Sequence, residues 1–433
     1  MKNAITVFLF FFSLTGLSQI EDKNEYCLRR EKLLIMMDSS SALVMKAANY
    51  ISQNNYYKQN PDFYYLTGIN SPSNYILLSP KGINIGKEVK TTIIFYIKIE
   101  DVKDLCLSVN DTLIDSKEFK TILKSLLLSI DKLYYSAPDI NITVDWLNGK
   151  THFLDNNMKI RLKESYPELK EIVSAENIIG KLRAIKSERE IALIRKATEI
   201  TSDGLLAAIK NAKPGVFEYE IQAAIENEFT RQGAMCKGFL SIVGSGNNST
   251  IIHYRENNRK TEPEDLVVMD VGAEYNGYSS DITRTIPISG KFSDAQKEIY
   301  QMVLAVQMDC ILKVKPGISL YELEDFANNE FKRLGYEDYF IHGLSHPVGL
   351  QVHDANSEPV LKPGMVITIE PGLYFDKNDI SAPEKYRGNG VRIEDIILVT
   401  ENGCEILSAK VPKEINEIEK LMSRKKTIVK IKQ

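Results

Sequence analysis

A weak internal repeat in the second part of this 433-residue chain constrains its fold more than any other feature. Aligning Lys213-Pro214-Gly215 on Lys315-Pro316-Gly317 brings Tyr219-Glu220 onto Tyr321-Glu322 and Asn227-Glu228-Phe229 onto Asn329-Glu330-Phe331. In the same register Arg231 and Gly233 fall on Arg333 and Gly335. A period this long marks a duplicated half-domain, not the short unit of a solenoid. The offset continues loosely, so that His253 falls near His353 and the apolar run ending at Asp270 falls on the run ending at Glu370. Such a duplication predicts a pseudo-two-fold domain whose functional groups converge on the axis.

The residues near that axis carry chemistry. The segment LVVMDVGAEYNGYSSDITRTIPI holds two β-rich runs joined across Asn276-Gly277, the pair that a type I′ hairpin turn prefers because both central residues need positive φ. If those two form the turn, Tyr275 faces Tyr278, Asp270 pairs with Thr283, and Asp281 is the diagonal neighbour of Asp270 on one face. Diagonal neighbours lie ~7 Å apart, close enough for two carboxylates to share a metal pair. A strand Asp is commonly just a solvated acid, but Asp270 ends the apolar run LVVM, where an unpaired carboxylate is costly to bury. A cation satisfies it.

In the other half, MVITIEPG places Glu370 at the end of an apolar strand, and GVRIEDIILV places Glu394 among Val391, Ile393, Ile396 and Ile397. Arg392 stands two residues from Glu394 and shares its face, which makes it a candidate to orient carboxylates without ligating; the plainer alternative is a surface Arg-Glu pair. Four of the five histidines lie between positions 253 and 353, in IIHYRE and in HGLSHPVGLQVHD. His342 and His346 have helical spacing, but Gly343, Pro347 and Gly349 predict a loop. Oxygen-rich ligation with one or two imidazoles suits manganese, cobalt or zinc, and two such ions would ionise a water and polarise a carbonyl. That is hydrolytic chemistry.

Elsewhere the sequence is less specific. The length predicts two domains. A net charge of -4 offers no basic face, so a nucleic-acid partner is excluded in favour of a small molecule or peptide. Lys2 precedes an apolar stretch from Ala4 to Leu14 and the small residues Gly16 and Ser18, which reads as a signal peptide over residues 1–18 and hence a periplasmic or secreted protein with no stable membrane anchor after cleavage. The five cysteines are scattered and odd in number, so no disulfide framework is expected. Residues 19–180 alternate helix-like stretches with β-rich runs at Asn74 to Pro80 and Thr91 to Ile99, an α/β or α+β domain. A capping box of Ser187 and Glu190 then opens a helix, so a second domain is expected over residues 181–433, with the boundary near Gly180. The basic tail SRKKTIVKIKQ is read as a frayed terminus without a role.

Five separated motifs, IVGSGNNSTIIHY, DVGAEYNGYSSDITRT, HGLSHPVGLQVHD, ITIEPGLY and GVRIED, stand in the order found in the pita-bread metallopeptidases, which this sequence resembles from about Gly180 to Ser408. That family includes methionine aminopeptidase, prolidase, Xaa-Pro aminopeptidase and creatinase. The resemblance implies a creatinase/prolidase-type α/β domain followed by a pseudo-two-fold catalytic domain. It implies two divalent metals, manganese foremost, held by Asp270, Asp281, His346, Glu370 and Glu394. Glu370 would also be the general base and acid. His253 and His353 would be substrate histidines, with His342 beside them on the substrate side, and Arg392 and Tyr374 would support the site. NPDFYYLTGINSPSNYILLSP at Asn60 to Pro80 resembles the amino-terminal domain of the Xaa-Pro aminopeptidases, which methionine aminopeptidases lack. The implied activity is release of the first residue from peptides with proline second, by a homo-oligomer (dimer or tetramer). Prolidase is the alternative, and a metal-free binding module a more distant one, since no ligand position is substituted.

Overall fold

The computed structural model describes residues 14–48, 57–103, 105–136, 143–144, 151–152 and 163–423, so residues 1–13 of the expected signal lie outside the described residues. The chain divides into two compact units, Met1–Leu182 and Arg183–Gln433. The division falls inside the helix Glu176–Ala184, as does Gly180, so the boundary is not a linker.

The first unit is built on a mixed six-stranded sheet. Its strand order is Asp111–Asp115, Glu88–Tyr96, Tyr75–Ile85, Ser41–Lys46, Lys132–Ser136, Glu171–Ser174. Ser41–Lys46 runs antiparallel to Tyr75–Ile85 and parallel to Lys132–Ser136. The strands expected at Asn74 to Pro80 and Thr91 to Ile99 reach instead to Ile85 and begin at Glu88, ending at Tyr96. Ladder pairing carries both past their apolar runs to a turn at Gly86, whose φ of 60° a glycine adopts at little steric cost. Val44, Leu77, Ile93 and Phe95 pack with Phe119 and Leu123 of the helix Phe119–Leu127.

The second unit realises the duplication. Each half opens with a helix pair, Glu188–Asn211 with Glu218–Arg231 and Asp294–Lys313 with Leu320–Leu334. Ser187 and Glu190 form the expected capping box, and Ser293 with Gln296 and Ser319 with Glu322 form two more. Between the helices of each pair, Gly215 and Gly317 turn at φ 89° and 92°. Gly215 N donates to Thr261 O at 2.9 Å and Thr261 N returns to Val216 O at 2.8 Å; Gly317 N donates to Leu361 O at 2.9 Å and Leu361 N returns to Ile318 O at 2.7 Å. The repeated triplets thus make the same backbone clasp, each at the approach to a central strand. Those strands, Leu266–Val271 and Val366–Ile369, pair antiparallel with Ile282–Pro287 and Asp395–Val399. Their apolar faces share one core with Ile200, Phe229, Val303 and Phe331 of the helices.

Candidate metal centre

Asn276 and Gly277 both have positive φ, 48° and 85°, and Tyr275 faces Tyr278, so the turn is the one the dipeptide predicts. The register places Asp270 opposite Thr283. Regular strand pairing continues through Val271 and breaks at Gly272, two residues on, where the backbones close in: a carbon added there would fall 1.9 Å from Ser280 O. This pinch sits beside Asp281, whose carboxylate is buried next to that of Asp270.

The second hairpin supplies the facing pair. Ile369 pairs with Asp395 and Gly372 with Arg392, a register that sets Glu370 opposite Glu394. Two threonines stitch the hairpins together. Thr283 Oγ1 donates to Glu394 Oε2 at 2.8 Å and accepts from Arg392 Nε at 3.2 Å, while Glu394 N donates to Thr283 O at 3.1 Å. Thr285 Oγ1 donates to Arg392 O at 2.8 Å and accepts from Arg392 N at 3.1 Å. From sequence, Thr283 is named only as the cross-strand partner of Asp270 and neither threonine has a role, although the Thr-x-Thr alternation in DITRTIPI puts both on the face of Asp281.

Arg392 is not a surface partner of Glu394. It is 2 % exposed, and its Nη2 donates to Asp270 Oδ2 at 2.7 Å and its Nη1 to Tyr374 Oη at 2.9 Å. His342 Nε2 lies 2.7 Å from the same hydroxyl and Nδ1 lies 2.9 Å from Gly343 O. A tautomer protonated at Nδ1 satisfies both contacts, with Tyr374 donating to His342. Burial, then the nearby Arg392, lowers the His342 pKa to about 4, so the ring is neutral at physiological pH. The segment from His342 to His353 is loop, as its glycines and proline predict. His346 Nε2 lies 3.5 Å from Asp281 Oδ2 and 3.4 Å from Glu370 Oε1. The His353 ring packs against that of His346 with centroids 4.1 Å apart and planes tilted by 51°, and His253 is exposed but near enough for its charge to disfavour protonation of His342 and His353.

Four carboxylates crowd a space with one arginine. Burial raises Asp281, Glu370 and Glu394 well above the usual carboxylate range, and the next cause in each case is another carboxylate: Asp270, Glu394 and Asp281 respectively. Asp270 Oδ1, Asp281 Oδ1 and Glu394 Oε1 are buried without a hydrogen-bond partner. Ligand atoms of Asp281, His346 and Glu394 lie within 4.8 Å of one another. Unpaired buried oxygens are costly, and an oxygen-rich set with one imidazole and no thiolate fits hard or borderline divalent ions. The residues present therefore fit divalent metal, and Asp270 and Glu370, in contact with this trio, extend it.

Comparison with known proteins agrees. Residues 192–401 match the model of metallopeptidase family M24, and residues 26–104 match the aminopeptidase P N-terminal domain. The chain is 35 % identical to a Xaa-Pro aminopeptidase of Haemophilus influenzae, over 93 % of this chain and 97 % of that protein. The Pseudomonas aeruginosa aminopeptidase PepP structure superposes with a TM-score of 0.79 at 30 % identity, covering 92 % of this chain and 98 % of that one. A Xaa-Pro dipeptidase of Pyrococcus furiosus is 40 % identical, but over 60 % of this chain and 74 % of its own.

Proposed function

This chain belongs to metallopeptidase family M24, and we propose that it is a Xaa-Pro aminopeptidase that removes the first residue from peptides with proline in second position. The chemistry rests on one observation, the convergence of Asp270, Asp281, His346, Glu370 and Glu394 with three buried oxygens unpaired. The substrate rests on the extent of the likeness: aminopeptidase relatives match through both units, whereas the dipeptidase relative matches little more than half of the chain.

Bound divalent ions supply Lewis-acid activation of water and of the scissile carbonyl. The protein's own groups do the rest. Glu370, whose carboxylate lies 3.4 Å from His346 Nε2 among the other acids, takes the water's proton and returns it to the leaving proline nitrogen. His253 and His353 face the substrate and hydrogen-bond the carbonyl as negative charge develops on its oxygen, a contribution of several kcal/mol, ~3 in comparable sites. Tyr374 holds Arg392 and neutral His342 in one chain of contacts, and Arg392 in turn holds Asp270 to its position.

The proposal has three further parts. Manganese is the working ion, in keeping with an oxygen-rich donor set. Residues 1–18 direct export to the periplasm or medium, and among the described residues no helix is long and apolar enough to cross a membrane. The protein works as a homo-oligomer, an inference that rests on family resemblance. The test is to load the protein with manganese and compare a Xaa-Pro dipeptide with a Xaa-Pro-Xaa tripeptide, using Glu370→Ala and chelation as controls. Metal-dependent release from both peptides is expected. Cleavage of the dipeptide alone makes it a prolidase, and cleavage of neither returns it to the class of binding modules.

A further inference from the structure

His253 and His353 occupy equivalent places in the two halves, and both are exposed on loops. An exposed histidine on a loop has no rigidity of its own, yet a group that meets a developing charge must be held in place. In both halves the residue that follows the histidine points inward and is fastened to a buried ionic or polar hub.

In the first half the fastener is Tyr254, 6 % exposed, whose hydroxyl donates to Glu218 Oε2 at 2.9 Å. Glu218 is the first residue of the helix Glu218–Arg231 and is fully buried. Its carboxylate also accepts from Arg259 N at 2.8 Å, from Ser245 N at 2.7 Å, from Ser245 Oγ at 2.6 Å and from Asn248 Nδ2 at 3.2 Å. Five donors from both sides of the loop thus converge on one side chain, with the helix N-terminus adding favourable potential. The loop between them closes on itself, Ile251 N to Asn248 O and Tyr254 N to Ile251 O, each 3.2 Å, which leaves His253 at the tip of a turn pinned at both ends.

In the second half the polarity is reversed. The residue after His353 is itself the carboxylate, Asp354, with a side chain 2 % exposed. It pairs with Arg183, lies 3.2 Å from Lys186 Nζ, and accepts from Gln351 N at 3.2 Å, while its own N donates to Pro347 O at 2.9 Å. Gly349 makes room for it: a carbon added there would overlap Asp354 Oδ2. Lys186 is in turn tied through its N to Gly364 O at 2.9 Å.

We propose that Glu218 and Asp354 are positioning residues, two buried latches that hold His253 and His353 in register with the reacting carbonyl. The inference rests on the aminopeptidase reading for the role of the histidines, but not for the latches themselves. Tyr254→Phe removes one latch hydrogen bond and keeps the packing; Glu218→Gln and Asp354→Asn weaken the hubs. Each is expected to lower kcat/KM of the manganese-loaded protein roughly 10- to 100-fold, chiefly through kcat. A residue acting through His253 costs nothing further once His253 is gone. In a His253→Ala background the Tyr254→Phe and Glu218→Gln losses should therefore vanish, while the Asp354→Asn loss persists; a His353→Ala background should give the converse. Equal losses in all backgrounds would overturn the proposal in favour of general structural weakening. A second readout needs no activity: with only five histidines in the chain, isotope-labelled imidazole signals can be assigned by single replacements. Tyr254→Phe should shift or broaden the His253 signal and leave that of His353 in place. An unmoved His253 signal refutes the latch, whereas a wild-type protein inactive on Xaa-Pro peptides refutes the aminopeptidase reading and leaves this readout standing.

Discussion

Replacing Gly272 by Ala tests whether the pinch between the two strands sets the distance between Asp270 and Asp281. The added carbon would fall 1.9 Å from Ser280 O and 2.8 Å from Phe239 Cε1, where ordinary contact begins at 3.4 Å. The Phe239 ring can rotate, but Ser280 O belongs to the backbone of the partner strand and also precedes Asp281. Relief requires the strands to part by about 1.5 Å, the difference between ordinary contact and the clash. Overpacking of this kind costs roughly 1–3 kcal/mol of stability, or more where backbone must move. The functional cost is larger, because a misplacement of ~1 Å at a reacting centre lowers rates about 100-fold. Gly343→Ala is the control, since Gly343 adjoins His342 but has nothing within 4 Å of the added carbon. Denaturant unfolding with kcat/KM on a Xaa-Pro-Xaa peptide reads both effects. A Gly272→Ala protein with the activity and midpoint of wild type would refute the reasoning, and so would equal losses in both variants.

Other perturbations follow from the same geometry. Tyr374→Phe removes the hydroxyl shared by His342 and Arg392; we expect kcat to fall about tenfold and stability by ~1–2 kcal/mol, read by kinetics and thermal unfolding. Arg284→Met strips one of two cations from the fully buried Asp395, leaving Lys413 alone to compensate it and the carbonyls of Thr283, Glu394 and Val411 without this donor, and should cost about 3–5 kcal/mol in denaturant unfolding. Burial pushes the Asp395 carboxyl up, but Arg284 and Lys413 hold it down at about 2, below its unfolded value of 3.8. Its stabilisation, about 2 kcal/mol, is thus fully present above pH ~4 and lost as pH falls toward 2; Asp395→Asn should flatten that part of the stability–pH curve.

Features legible in the sequence were those with local causes. Asn276-Gly277 set the hairpin register because its φ requirement is intrinsic to two residues, and that register alone aligned Asp270 with Thr283. The Ser187–Glu190 box spans four residues, and the Pro-Gly clasps recur because the duplicated segment carries its own turn. What stayed hidden depends on partners remote in sequence. Glu218 reads as an ordinary first-turn acid until Tyr254 and Arg259 are brought to it. Asp354 lies 171 residues from Arg183, and Thr283 lies 111 from Glu394. Gly272 gives no sequence signal of a close approach, since the backbone it meets belongs to the returning strand. The division near Gly180 was placed from the capping box that opens the following helix, a local signal that carries no information about the helix Glu176–Ala184 before it.

The charges in the centre bear on how many ions it holds. Asp270, Asp281, Glu370 and Glu394 bring four negative charges when ionised, and among the described residues Arg392 is the one permanent cation touching them, leaving a deficit of three. His342 is neutral at physiological pH and cannot help. One divalent ion leaves a buried site still negative, with carboxylates repelling one another at low dielectric. Two leave a single positive charge, which suits a site that must meet one negative charge developing on a carbonyl oxygen. Calorimetric titration of the metal-free protein with manganese should therefore find two ions per chain, the second bound because the first does not neutralise the four acids. Glu394→Gln, which deletes one charge and spares the fold of its strand, should weaken binding of both. A stoichiometry of one in the wild type would mean that some of these carboxylates stay protonated with metal bound, and the two-ion reading would fail.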